Sequence, residues 1–191
     1  KSMLVLDKTE SIFDSVGANY IAQLASPVDS FPIKKWADVT TKLSDIDTTN
    51  LHYVVLPENH IYIDFDLKDE NGKKSAKLNL EAANKFPPTY AEYSKSGAGI
   101  HLHYFYDGDA SQLASLYSEG IEIKRTSYGD KGPSTLRRML SKCNDLPIAT
   151  ISSGLPLKGA KVIDVKSVAS EKGLRDLILK NLKKEIDRKS V

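Results

Sequence analysis

A chain of 191 residues with 40% hydrophobic and 27% charged residues can bury one core, so a single domain with a short appendage is expected and global disorder is excluded. The net charge of +2 gives no global polyanion-binding signature, and the charge is uneven: from residue 166 onward, eight Lys/Arg face four Asp/Glu. The lone Cys143 excludes an internal disulfide and a cysteine-built zinc site. No apolar run is long enough for a membrane span and no secretory leader pattern is visible, so a reducing, cytoplasmic setting without membrane partners is expected.

In chain order, residues 9–25 read as an amphipathic helix, with Ile12, Val16, Tyr20 and Leu24 at helical spacing. Residues 26–50 are loop-rich, anchored by Trp36. Residues 52–56 read as a strand. So do residues 60–67, where Ile61, Ile63, Phe65 and Leu67 alternate with His60, Tyr62, Asp64 and Asp66. A polar turn through Asn71-Gly72 leads to a helix at 77–86 that stops before Pro87-Pro88. A short strand at 90–94, a Gly-rich turn and a strand at 100–106 follow. Next come a helix at 109–118, a strand at 120–125, a basic helix at 134–142 and a strand at 148–152. The basic amphipathic segment 166–191, with a helix over 170–188, reads as a helix or linker toward a further domain.

Four constellations carry candidate chemistry. Asp64 and Asp66 alternate with core residues and so leave one face of their strand. Two neighbouring carboxylates repel, and a divalent cation that favours oxygen ligands relieves that repulsion; a merely solvated strand face is the plain alternative. The turn Ser94-Lys95-Ser96-Gly97-Ala98-Gly99 can bring backbone N–H groups to a phosphate, with His101 and His103 projecting from the strand behind it; a hairpin turn with two half-buried histidines is its alternative. Glu122 and Lys124 share a strand face, where a third carboxylate can complete a two-metal site or simply form an exposed Glu/Lys pair. Lys131, Arg137, Arg138 and Lys142 form a basic run that can contact phosphates or be a solvated helix face.

Taken together, IYIDFD at 61–66, SGAGIHLHYF at 96–105 and IEIK at 121–124 resemble the motifs of the archaeo-eukaryotic primase superfamily, and within it the primase-polymerases of phages, plasmids and other mobile elements. The resemblance spans residues 50–125. The compact family motif is Ser-x-His, whereas Ser96 and His101 stand five apart, and the third acid is Glu rather than the frequent Asp.

The resemblance implies an α+β fold over residues 1–165, with a mixed or antiparallel sheet, flanking helices and an RRM-like primase-polymerase catalytic core. It implies that Asp64, Asp66 and Glu122 hold two Mg2+ or Mn2+ ions. Ser96, Gly97, Lys124 and one of His101 and His103 would bind the incoming nucleotide, and Lys95, Arg125, Lys131, Arg137 and Arg138 would contact DNA. The implied activity is template-directed nucleotidyl transfer. Its partners are a single-stranded DNA template, a primer, NTP or dNTP substrates, and a helicase or accessory domain. Two other readings of the same residues stay open: a different D-x-D metal-nucleotide transferase, such as a glycosyltransferase, and a non-catalytic single-strand-binding or replication-initiation module that uses Phe65, Tyr104 and Tyr106 for stacking.

Overall fold

The computed structural model describes residues 3–159. The expected tail helix at 170–188 and the expected boundary at 165 lie outside those residues. In chain order the elements are α1 (Ile12–Val16), β1 (Ala22–Leu24), β2 (His52–Val54), β3 (His60–Phe65), α2 (Ala76–Ala83), β4 (Ala91–Tyr93), β5 (Ile100–Tyr106), β6 (Leu116–Ser118), β7 (Ile121–Lys124), β8 (Tyr128–Gly129), β9 (Gly132–Pro133), β10 (Leu136–Arg138) and β11 (Ala149–Ile151). The fold is α+β, with mostly antiparallel sheets and few helices. Among the described residues no helix is long and apolar enough to cross a membrane.

A six-stranded sheet runs β11-β5-β3-β7-β6, with β4 beside β5; β11 pairs parallel to β5 and the other pairs are antiparallel. The period-two pattern of β3 decides its faces. Ile61, Ile63 and Phe65 join Ile100, Leu102, Tyr104, Ile121 and Ile123 in one core, onto which Leu80, Ala82 and Ala83 of α2 pack. Each of the large aliphatic side chains stabilises the fold by roughly 1.5–3 kcal/mol through removal from water. The opposite face carries His60, Tyr62, Asp64, His101 and His103. Its Tyr62 end lies against a second core of Phe13, Ala22, Val54 and Leu136, the last three from the three-stranded sheet β1-β2-β10. The Asp64 end of that face is left more open.

Of the helices expected from spacing, two are absent and one is cut short. Over 9–25, Ser11 caps a single short helix by accepting from Asp14 N at 3.2 Å. Gly17 ends it, and a Cβ there would come within 2.8 Å of the Tyr20 ring, so the chain turns and re-emerges as β1. Over 109–118, backbone bonds from Ala114 N to Pro156 O (2.9 Å) and from Lys158 N to Gln112 O (2.8 Å) hold the segment extended after one 3-10 turn. Over 134–142, Leu136, Arg138 and Leu140 point inward while Arg137 and Met139 point out. That is a period of two, and the segment is a strand. The expected helix at 77–86 is α2, capped by Ser75 on Leu78 N. The expected strands at 52–56, 60–67, 90–94, 100–106, 120–125 and 148–152 are present as β2, β3, β4, β5, β7 and β11.

Candidate active site

Strand register assembles the site. Asp64 of β3 lies opposite Glu122 of β7 on one side and opposite His101 of β5 on the other, and His101 in turn lies opposite Glu92 of β4. Directly opposed residues share a face about 5 Å apart, so Glu122, Asp64, His101 and Glu92 form one row across four strands. Asp66 follows just beyond β3 on the same side, where its N–H donates to Gly120 O at 2.7 Å.

The row grades from exposed to buried. Glu122 is exposed, the Asp64 side chain is 18% exposed, and Glu92 is fully enclosed. His101 Nε2 lies 3.3 Å from Asp64 Oδ1, and Lys124 Nζ lies 2.9 Å from Asp64 Oδ2. Burial alone pushes the Asp64 carboxyl up, but the hydrogen bonds and charges of His101 and Lys124 outweigh it and hold the group down at about 2. Lys124 shifts the other way: burial pulls it down, yet its bond to Asp64 and the charges of Asp64, Glu122 and Asp66 hold it above the usual lysine value. Asp66 Oδ1 is buried without a hydrogen-bond donor, and its nearest cation is Lys74 Nζ at 3.5 Å.

Asp64 and Glu122 on adjacent strands, with Asp66 beyond, offer oxygen alone, the donor type that hard divalent cations prefer. Glu92, His101 and His103, all buried, bring one ligand atom each within 4.8 Å of one another, close enough to hold a metal ion. The Glu92 carboxylate already accepts from Arg138 Nε (2.8 Å), Arg138 Nη2 (3.1 Å) and Tyr90 Oη (2.7 Å), so a cation there competes with a guanidinium. Both Asp64 oxygens are likewise engaged, by His101 and by Lys124, and among the described residues Asp64, Asp66 and Glu122 do not bring three ligand atoms together in this way.

The chain matches no family model and no curated protein.

The Gly-rich turn lies against the end of β3. Ser94 N donates to Gly99 O at 2.8 Å, and the Ser96 hydroxyl accepts from the N–H groups of Ala98 and Gly99, both at 3.3 Å. Lys95, Ser96 and Gly97 are exposed, and Gly97 takes a left-handed φ of 76° that favours glycine. A Cβ on Gly99 would fall 2.6 Å from Ser94 Oγ and 3.0 Å from Phe65 O, so glycine is what lets the turn lie against the end of β3.

Two expected roles are corrected. His103 is fully buried: its Nδ1 lies 2.8 Å from His60 Nε2, and its ring stacks on Tyr62 and packs against Phe13. Burial drives its pKa well down, so it stays neutral inside the core, away from any phosphate. Of the two histidines, His101 is the one beside the carboxylates. Arg138 is likewise enclosed, 1% exposed and committed to Glu92, Asp14, Ser11 and His52, so it cannot reach a DNA backbone. Its neighbour Arg137 is exposed on β10 opposite Tyr53. Arg125 is half-buried and donates to Thr126 O at 3.3 Å, and Lys131 is exposed on the β8–β9 hairpin.

Asn79, Glu92 and Lys74 were not anticipated. Asn79 accepts from Leu67 N at 2.7 Å and donates to Ala98 O at 2.8 Å, tying the residue after Asp66 to the Gly-rich turn. A signal existed: Asn79 and Ala83, four apart, share the buried face of α2, and a polar residue on such a face needs a partner.

Proposed function

We propose that this chain is a metal-dependent nucleotidyltransferase of the primase-polymerase kind, with the six-stranded sheet and α2 as an RRM-like catalytic core. The observation that carries the reading is the row Glu122–Asp64–His101 on three adjacent central strands, with Asp66 one step beyond and the Gly-rich turn alongside. Asp64 and Glu122 lie side by side on neighbouring strands with Asp66 beyond, and the Gly-rich turn packs against the end of the same strand. A glycosyltransferase-type D-x-D pair needs neither the third strand acid nor that turn.

In this reading Asp64, Asp66 and Glu122 hold two Mg2+ or Mn2+ ions. When bound, such ions lower the pKa of the attacking 3′-hydroxyl and stabilise charge on the leaving pyrophosphate. The chain's own groups do the rest. His101, whose Nε2 lies 3.3 Å from Asp64 Oδ1, holds that carboxylate at the edge of the nucleotide site. Lys124 keeps its proton and supplies positive charge beside Asp64. The Ser96–Gly99 turn offers its exposed Ser96 hydroxyl to the triphosphate of an NTP or dNTP. A single-stranded DNA template with a primer, a downstream helicase or accessory domain, and a cytoplasmic setting with a reduced Cys143 go with this reading.

The test is incorporation of labelled NTPs and dNTPs on single-stranded DNA with Mg2+ or Mn2+. The expected result is metal-dependent polymer formation that Asp64→Asn and Glu122→Gln each abolish. Full activity in the Asp64→Asn variant, or transfer of a sugar without any polymer, refutes the reading.

A further inference from the structure

A groove of about 740 Å3 lies where the three-stranded sheet meets the β8–β9 hairpin. Ile21 and Val55 line it together with Trp36 and Tyr128, the two aromatic rings of its wall. Tyr128 is 76% exposed, a large ring left in water at the edge of an apolar surface. Gly132 takes a left-handed φ of 100°, a conformation that favours glycine in the hairpin beside Trp36.

The rim of the groove is basic. Lys35 and Lys131 line it against the single acid Asp130. Lys42 is exposed and lies opposite Ile21 in an antiparallel bridge, so it leaves the same face. Aromatic faces inside a cationic rim fit a polyanion whose flat apolar groups are unpaired, which is the chemistry of a single-stranded polynucleotide. Duplex bases are already stacked on one another, and an apolar peptide would leave the lysines without a role.

A backbone tie joins the groove wall to the segment that follows β7. Val55 precedes Leu56, whose N–H donates to Thr126 Oγ1 at 2.9 Å, just past Lys124 on the strand that carries Glu122.

We propose that the Trp36–Tyr128 groove binds single-stranded nucleic acid, with bases stacked on the two rings and phosphates along Lys35, Lys131 and Lys42. The role of that strand as template rests on the nucleotidyltransferase reading; the binding itself does not.

Trp36 is the chain's only tryptophan, so its emission reports on the groove directly. The experiment titrates the full chain, without divalent metal, with a short oligothymidylate and with an abasic sugar-phosphate oligomer of equal length. Saturable quenching by the oligothymidylate is expected, weakening as salt rises. The abasic oligomer and the Tyr128→Ala variant should each bind about five- to hundredfold more weakly. Lys35→Glu with Lys131→Glu should weaken binding by at least about tenfold, and Tyr128→Phe should retain it. Absence of quenching, equal binding of the abasic oligomer, or indifference to the charge reversal overturns the proposal. So does a wild-type dimer that becomes monomeric in Tyr128→Ala without any oligonucleotide binding, since the groove then seats a second copy. Asp64→Asn should bind oligothymidylate as the wild type does. If that variant both binds and still polymerises, the catalytic reading fails while the groove stands.

Discussion

Arg138 and Glu92 meet in the interior as fork and carboxylate: Nε donates to Oε2 at 2.8 Å and Nη2 to Oε1 at 3.1 Å, with both side chains 1% exposed. Burial pushes the Glu92 carboxyl up, and the charge and hydrogen bonds of Arg138 outweigh it and hold the group ionised. The guanidinium also lies 2.7 Å from Asp14 Oδ1 and 4.5 Å above the Phe13 ring, so it joins α1, β4 and β10 around one charge. Through β4 the pair stands directly behind His101.

The pair's weight in stability follows from its burial. Arg138→Met leaves Glu92 ionised and unpaired in a dry site, which costs about 3–5 kcal/mol. Urea unfolding should show that loss. Arg138→Met with Glu92→Met removes both charges together and should recover most of it. A single variant as stable as the wild type would mean that water reaches Glu92.

Three imidazoles make stability fall in mild acid. Burial lowers His60 to about 3 and, helped by the charge of Arg138, His52 to about 4, and it lowers His103 well below the ordinary value. Each folded value lies below the unfolded one, so the unfolded chain binds more protons below about pH 6.5 and folding weakens as pH drops from there toward 4. The slope approaches about 1.4 kcal/mol per pH unit for each imidazole. Glu92, Asp14 and Arg138 are charged groups near this cluster, and the carboxylates pair with the guanidinium. Asp64, held at about 2, adds a further loss only between about pH 4 and 2, as its folded-state proton goes on. Urea midpoints at pH 7, 6 and 5 measure the slope, and His60→Phe should flatten it.

Lys124 competes with cations for Asp64. Its Nζ donates to Oδ2 at 2.9 Å, occupying an oxygen that a divalent ion needs. Lys124→Met should therefore tighten Mn2+ binding several-fold in calorimetry while weakening nucleotide binding, because the same positive charge is lost to the triphosphate. Weaker Mn2+ binding in this variant would show that Lys124 orients the carboxylate instead of blocking it.

Much of the sheet was legible because its strands obey a simple alternation. In β3, Ile61, Ile63 and Phe65 against His60, Tyr62 and Asp64 reveal both faces, and the register with β5 and β7 then aligns Asp64 with His101 and Glu122. β10 hid because its inward-facing residue is an arginine: Leu136, Arg138 and Leu140 keep a period of two, but a buried charge reads as surface. Nor could the pattern separate His101 from His103, since both leave one face of β5. What separates them is Phe13 and the second sheet, which cover His103 and leave His101 beside Asp64. Long-range closure of that kind leaves no local signature, and it also explains why spacing over 9–25 suggested one helix where the chain folds back as β1.

Asn79 supports the prediction most specific to the site. Fully buried on α2, it bonds both Leu67 N, next to Asp66, and Ala98 O, in the Gly-rich turn. Asn79→Ala leaves a backbone donor and acceptor without partners, at a cost of about 1–3 kcal/mol each. It also frees the turn to move relative to Asp66. Gly99→Ala strains the same junction from the other side, because its methyl would press on Ser94 and on Phe65 O. In nucleotide-incorporation kinetics both variants should raise KM for the nucleotide more than they alter metal affinity, since the carboxylate row on β3 and β7 stays paired while the turn shifts. Leu78→Ala, one residue away and partly exposed, should leave KM unchanged. Should Asn79→Ala lose stability yet keep the wild-type KM, the turn binds no phosphate and the bond serves only the fold.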